Sequence, residues 1–160
     1  MVTDSSQLPL LWIDDDGPRR FVYETKLLER AGWQVSWARG VEAAVETLAE
    51  RVFTAVLLDQ MLPMGDPVQD RANVWQGCLL LYWLRRKPAP SQAPASREWQ
   101  KIGSRAPLAK NRHAKVLLVS AYYDTEVDKA IRAIEPALVA ITKPIDADLL
   151  LKELGNLHAR

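Results

Sequence analysis

The sequence lacks most features that mark secreted or membrane-bound proteins. Its 160 residues contain a single cysteine, Cys78, so no disulfide can form within the chain, which favours a reducing compartment. The first residues lack the basic segment and the apolar stretch of a signal peptide, and no run approaches the roughly 20 apolar residues of a membrane span. We therefore expect a soluble, cytoplasmic protein with no membrane partner.

The net charge is also small, but it is unevenly distributed. Residues 85–115 contain nine Lys or Arg and one acid, Glu98, for a charge of +8, whereas the rest of the chain carries −7. Residues 87–114 are rich in proline and alanine as well as basic, and 87–96 predicts an extended linker. Most runs of charge are solvated surface, and no helix-turn-helix pattern accompanies this one. We do not expect nucleic acid to be a partner.

Strands and helices alternate along the chain. Short, continuous apolar runs predict strands that are buried on both faces, and the alternating run 33–37 predicts a half-exposed edge strand. The buried runs are 8–14, 54–59, 115–120 and 137–142, and helical periods cover 18–31 (opened by Pro18), 41–49, 77–86, 127–134 and 150–157. This alternation predicts one α/β domain over residues 1–160, with a doubly wound, five-stranded parallel sheet.

The residues at the ends of the predicted inner strands share a chemistry. They are Asp14, Asp15, Asp16, Asp59, Ser120 and Lys143. The carboxyl ends of parallel strands meet at one rim, where carboxylates suit Mg²⁺ and a hydroxyl and an ammonium suit phosphoryl oxygens. Any one of these residues is more often a helix cap or part of a turn. Together they predict a phosphoryl-transfer site.

Two families share this layout. The stretch Asp14-Asp15-Asp16-Gly17 resembles the first motif of haloacid-dehalogenase-type phosphatases, in which Asp14 would be the nucleophile and Asp16 the acid/base. Those enzymes also need an acidic pair on a strand after the lysine, whereas only 17 residues follow Lys143 here. The phosphatase interpretation also leaves Asp59 without a role. This alternative stays open as a small phosphatase.

The second resemblance is stronger. The motifs IDDDGPRR, VLLDQMLP, VLLVSA and ITKPI are similar to those of the receiver domain of two-component response regulators, over about residues 8–86 and 114–158. The resemblance implies the flavodoxin-like strand order 2-1-3-4-5. It also implies a signalling domain rather than an enzyme, phosphorylated by a histidine kinase or phosphotransfer protein and acting by docking on a downstream protein.

The same resemblance implies a role for each site residue. Asp59 is the phosphoacceptor and Ser120 and Lys143 contact the phosphoryl group, while Mg²⁺ is held by Asp14, Asp15, Asp59 and the backbone carbonyl of Met61. Lys143 would precede a cis bond to Pro144. Asp16 is then a helix cap or a solvated neighbour.

The chain departs from the family in its switch region. Ala140 stands where the family usually has an aromatic switch residue, and Tyr122 and Tyr123 are candidates to replace it. Met61 and Tyr122 occupy positions that flank the phosphoryl group in the family, so we expect their bulk to hinder water and slow dephosphorylation. A receiver-like interaction module that is no longer phosphorylated is a further alternative.

The second departure is an insertion at 87–114, between the third helix and the fourth strand. The helix predicted at 77–86 is apolar on all sides, which is typical of a buried helix. We expect Trp99, Ile102 and Leu108 of the insertion to fold over its outer face. A homodimer contact or another partner protein is the alternative cover.

Overall fold

A computed structural model describes residues 7–104 and 109–155. It contains one five-stranded, all-parallel sheet in the order β2-β1-β3-β4-β5. The strands are Leu8–Ile13 (β1), Trp33–Ala38 (β2), Ala55–Leu58 (β3), Lys115–Ser120 (β4) and Val139–Thr142 (β5). The predicted fold class and strand order are therefore confirmed.

The described ranges contain six α-helices. They are Val22–Arg30 (α1), Val41–Glu50 (α2), Gln76–Leu84 (α3), Arg97–Ser104 (α4), Thr125–Ile134 (α5) and Ala147–Gly155 (α6), with a short 3-10 helix at Ala109–Asn111. None of these helices is both long and apolar enough to cross a membrane. The predicted helical residue Leu157 lies outside the described residues.

The sheet separates two hydrophobic cores because successive side chains of a strand point to opposite faces. Leu11 and Ile13 of β1 contribute to the core under α2, α3 and α5, and Leu10 and Trp12 to the core under α1 and α6. All four are fully buried. The continuous apolar runs of the sequence thus correspond to strands covered on both faces.

The predicted start of the first helix is wrong. Pro18 lies in a turn, in which the backbone N–H of Arg20 donates to the carbonyl of Gly17 at 3.4 Å, and the helix begins only at Val22. Gly17 has a φ of +70°, a left-handed conformation that ends the strand connection and excludes a helix at this point.

The insertion packs on α3, whose residues from Gly77 to Leu84 are all buried. Ile102 of α4 is 5% exposed and belongs to the same core, and Trp99 is half-buried against it. The indole N–H of Trp99 also donates to the side-chain carbonyl of Gln76 at the start of α3. Helix α4 was missed because its sequence has only two large apolar residues, and the third predicted contact, Leu108, lies outside the described residues.

Two polar side chains hold the ends of the insertion to the domain. Arg85 donates to the carbonyls of Arg112 and Ala114, each at 2.8 Å, and pairs with Glu135 at the end of α5. Asn111 is 1% exposed and bonds to the backbone of Leu48, Arg51 and Phe53. The insertion therefore leaves and rejoins the domain at fixed points.

Candidate metal and phosphoryl-transfer site

Asp59 lies at the centre of the rim formed by the carboxyl ends of β1, β3, β4 and β5. This residue directly follows β3 and is only 5% exposed. One carboxylate oxygen, Oδ1, accepts hydrogen bonds from the hydroxyl of Ser120 at 2.8 Å and from the backbone N–H of Met61 at 3.1 Å. The other, Oδ2, contacts the Lys143 ammonium at 2.7 Å. The structure thus brings together the predicted residues from three strand ends.

Lys143 joins two buried carboxylates. Its Nζ is 2.7 Å from Oδ2 of Asp14 and 2.7 Å from Oδ2 of Asp59, and its side chain is only 8% exposed. The two carboxylates raise the pKa of Lys143 by hydrogen bonding and charge, more than burial lowers it. The peptide bond between Lys143 and Pro144 is cis, as predicted.

Asp14 is the most buried acid of the site, with no exposed surface. Burial raises its pKa from 3.8 to about 6, and the nearby charge of Asp59 adds to the rise, while Lys143 opposes it. Half-buried Asp15 also has a raised pKa, because of burial first and then the charges of Asp16 and Asp59. The protein holds negative charge here at a cost that a cation would relieve.

The donor set fits a hard divalent cation. Asp14, Asp15 and Asp59 each offer a carboxylate oxygen, and these atoms lie within 4.8 Å of one another. Mg²⁺ prefers oxygen ligands of this kind and keeps several waters. Asp16 takes no part in this cluster and instead forms an ion pair with Arg20 at 3.3 Å, with a side chain that is 37% exposed. Its assignment as a cap or a solvated neighbour suits this position better than an acid/base role.

Two residues that support the site were not identified as such from the sequence. Arg39, which follows β2, donates to the backbone carbonyl of Asp15 at 2.8 and 3.0 Å and so fixes the loop that carries the acids. Gly77 packs against the backbone of Asp59, where a Cβ would lie 2.3 Å from the carbonyl oxygen of Asp59. For Gly77, a glycine inside an apolar helix is the available sequence signal. For Arg39, the sequence contains no such signal.

The candidate switch residues differ in their exposure and contacts. Tyr122 is 50% exposed and lines a shallow cavity together with Met61, and its carbonyl oxygen lies 3.1 Å from the Ser120 hydroxyl oxygen. Tyr123 is half-buried against the core under α5. Ala140 is half-buried in β5, the edge strand next to β4. The two tyrosines thus lie two and three residues after Ser120, whose hydroxyl contacts Asp59.

This strand order, with helices on both faces of the sheet, is the flavodoxin-like fold that response-regulator receiver domains also have. Comparison with solved structures agrees. The receiver domain of the Francisella response regulator 1452 matches with 20% identity and a TM-score of 0.62, covering 96% of this chain and 98% of that one. The chemotaxis response regulator CheY4 of Vibrio cholerae matches with 18% identity and a TM-score of 0.63, covering 95% and 99%.

A third similar structure is a response regulator protein from Burkholderia pseudomallei with a phosphorylated aspartic acid, a calcium ion and citrate. It has 15% identity and a TM-score of 0.55, and the match covers 90% of this chain and 64% of that one. No protein-family model and no curated protein sequence matches the chain. The likeness is therefore one of fold, at low sequence identity.

Proposed function

We propose that the chain is a phosphorylatable receiver of a two-component or phosphorelay system, which accepts a phosphoryl group on Asp59. The observation that carries the proposal is the convergence on this one buried carboxylate of a lysine ammonium, a serine hydroxyl and two further aspartates. A structurally similar protein, from Burkholderia pseudomallei, contains a phosphorylated aspartic acid. The chain is then a signalling domain whose only chemistry is its own phosphorylation and dephosphorylation.

In this chemistry an oxygen of Asp59 attacks the phosphorus of the donor. A new P–O bond forms while the P–N bond of a phosphohistidine, or the P–O bond of an acyl phosphate, breaks. The imidazole nitrogen, or the carboxylate of the acyl group, departs with the electron pair of the broken bond. When bound, Mg²⁺ would supply positive charge that offsets the negative charge of the attacking and incoming groups. Asp14, Asp15 and Asp59, with the backbone carbonyl of Met61, would hold it.

The remaining site residues have separate tasks in the proposal. Lys143 presents its ammonium between Asp14 and Asp59, so it lowers the repulsion between them and remains available to a phosphoryl oxygen. Ser120 donates to Asp59 in this structure, and its hydroxyl would donate to a phosphoryl oxygen after transfer. Both tasks need only small movements of side chains that are already in contact.

The partners follow from the same chemistry. The phosphoryl donor would be a histidine kinase or a phosphotransfer protein, and the phosphorylated form would act by docking on a downstream protein. A cytoplasmic location is part of the proposal, supported by the single buried thiol of Cys78.

Dephosphorylation should be slow. Met61 and Tyr122 line one cavity, and the backbone N–H of Met61 donates to Asp59, so we expect the two side chains to hinder the approach of water to a phosphoryl group there. We expect Met61→Ala and Tyr122→Ala each to shorten the phosphoryl half-life by about threefold to tenfold, a barrier change of about 1 kcal/mol. The test is loss of the phosphoryl group over time by mass spectrometry. A half-life that both variants leave unchanged would contradict the assignment.

The decisive experiment is the intact mass of the chain after incubation with acetyl phosphate and Mg²⁺. We expect a base-labile gain of one phosphoryl group that Asp59→Asn abolishes and that Asp16→Asn, the matched control on the same rim, retains. No gain would leave only a binding module. A gain that survives Asp59→Asn but is lost in Asp14→Asn would instead identify Asp14 as the nucleophile of a phosphatase.

A further inference from the structure

A cavity lies away from the phosphoryl site, between α3 and the insertion. It has a volume of about 650 Å³, within the range of small-molecule sites. One wall is the outer face of α3, with Tyr82 and Trp83, and the opposite wall is Trp99 of α4. Prolines and alanines of the segment 87–96 close the third side. The cavity is thus a largely apolar space with aromatic walls.

The charged residues that line this cavity are all cationic. Arg86 and Lys87 lie at its rim and are exposed, and no Asp or Glu is among the described residues that line it. The other polar groups of the lining are uncharged, such as Ser91, Ser96 and Gln100. A ligand with an apolar body and one negative charge complements this arrangement, because its body replaces water in the cavity while its charge stays at the rim.

Arg86 has an unusual backbone conformation. It ends α3 with a φ of 57°, in a turn where its N–H donates to the carbonyl of Trp83 at 3.0 Å and the N–H of Lys87 donates to that of Tyr82 at 2.9 Å. Glycine is the usual residue in this position of a helix end, and an arginine there costs on the order of 1 kcal/mol. Strain of this kind is often kept for a functional reason, and here it places a cation at the cavity rim.

We propose that this cavity binds an amphiphilic carboxylate, a molecule with an apolar body and one terminal carboxylate. The apolar body lies between Tyr82, Trp83 and Trp99, and the carboxylate pairs with Arg86 and Lys87. The site does not depend on the phosphoryl chemistry of Asp59, so Asp59→Asn binds such a ligand as tightly as the wild type.

The test is calorimetric titration of the full chain with decanoate, below its micelle concentration. We expect one site, and an affinity at least about tenfold higher than for decyltrimethylammonium, a cation with the same alkyl chain. Octanoate, which is two methylenes shorter, should bind about tenfold more weakly because each buried methylene adds to affinity. Equal affinity for the cation, or no binding of decanoate at millimolar concentration, would overturn the proposal.

Variants locate the site. Arg86→Gly keeps the helix end and removes the charge, so it should weaken decanoate binding about twofold to fivefold. Lys26→Gln, at an exposed position of α1, is the matched control and should leave the affinity for decanoate unchanged. Ala93→Trp fills the cavity from the half-buried Ala93 and should abolish binding. Undiminished binding in both Arg86→Gly and Ala93→Trp would place the ligand elsewhere.

A measurement on the wild type guards against a variant that misfolds. In ¹⁵N spectra the indole N–H signals of Trp83 and Trp99 should shift with decanoate, while that of Trp33, buried in the core on the opposite face of the sheet, should not. A signal of Trp33 that shifts as much as the other two indicates general unfolding by a detergent. A dimer that decanoate does not dissociate would show that a second copy of the chain occupies the cavity. Either of these two results would overturn the proposal.

Discussion

The rim around Asp59 and the cavity beside α3 differ in how their residues are brought together. The rim gathers side chains from β1, β3, β4 and β5, which lie far apart in sequence but at the same edge of the sheet. The cavity is built from one stretch, 79–100, that folds back on itself. The rim is mainly acidic and buried, whereas the cavity is apolar with a cationic edge. Topology creates the first, and local packing creates the second.

The difference shows which interactions each region depends on. At the rim, like charges are held close together, and the ammonium of Lys143 offsets part of their repulsion. At the cavity, stability comes from covering apolar surface of α3 with Trp99 and Ile102. Changes of charge should therefore act mainly on the rim, and changes of apolar contact mainly on the insertion. Four variants test this separation.

Deletion of 88–112 should have the largest effect. It removes α4 and Asn111, so the outer face of α3 becomes exposed while the carboxylates at the rim remain. We expect a rise in fluorescence of the neutral dye Nile red and a loss of solubility, with Mg²⁺ affinity retained. Unchanged dye binding and solubility would show that the insertion does not cover α3.

Lys143→Met should destabilise the fold by about 3–5 kcal/mol in EDTA at neutral pH, because it leaves Asp14 and Asp59 buried without their cation. The loss should be smaller near pH 5, where Asp14 is protonated, and smaller again with Mg²⁺. Urea unfolding measures it, with Lys26→Met as the exposed control. A loss below about 1 kcal/mol under all conditions would mean that the pair is unimportant for stability.

Gly77→Ala tests the close approach of α3 to the rim. An added Cβ would lie 2.3 Å from the carbonyl oxygen of Asp59, so the helix must shift, at a cost of about 3 kcal/mol. Gly155→Ala is the matched control, since a Cβ there meets nothing within 4 Å. We expect urea unfolding to separate the two variants clearly. Equal stabilities would show that the backbone contact is easily relaxed.

Asp14→Asn concerns the pH dependence. The pKa of Asp14 is about 6 in the folded protein, against 3.8 for a free aspartate side chain such as that of the unfolded chain. Between pH 3.8 and 6 folding therefore takes up a proton, and the free energy of unfolding falls as the pH rises through this range. The fall amounts to on the order of 2–3 kcal/mol. Asp14→Asn should remove it in EDTA, whereas Asp16→Asn should not. A wild-type stability that is flat from about pH 4 to pH 7 would contradict this.

Much of the rim could be predicted from the sequence because it depends on strand ends. The apolar runs identified β1, β3, β4 and β5, and the side chains that follow them meet at one edge of any parallel sheet. Asp59, Ser120 and Lys143 are found where this rule puts them. Contacts made across loops carry no such rule. Arg39 reaches the backbone of Asp15 only because of the path of the chain after β2.

The insertion was less predictable because its structure depends on what it packs against. The helical period of 97–104 is short, and its two large apolar residues both pack against the core that includes α3. The predicted start of α1 failed for a related reason. Pro18 suits a first helical turn, but Gly17 in a left-handed conformation turns the chain first and delays the helix to Val22.

The contacts of Arg85 have a consequence for how this protein could change. By binding the carbonyls of Arg112 and Ala114, Arg85 brings the two ends of a long loop to the same place. Doubling the length of such a loop costs only about 0.6 kcal/mol in closure entropy. The loop between these two ends can therefore be replaced by a different segment, provided that the new segment covers the outer face of α3. It is a natural attachment point, at which a sensor or binding module could be exchanged while the carboxylate rim stays as it is.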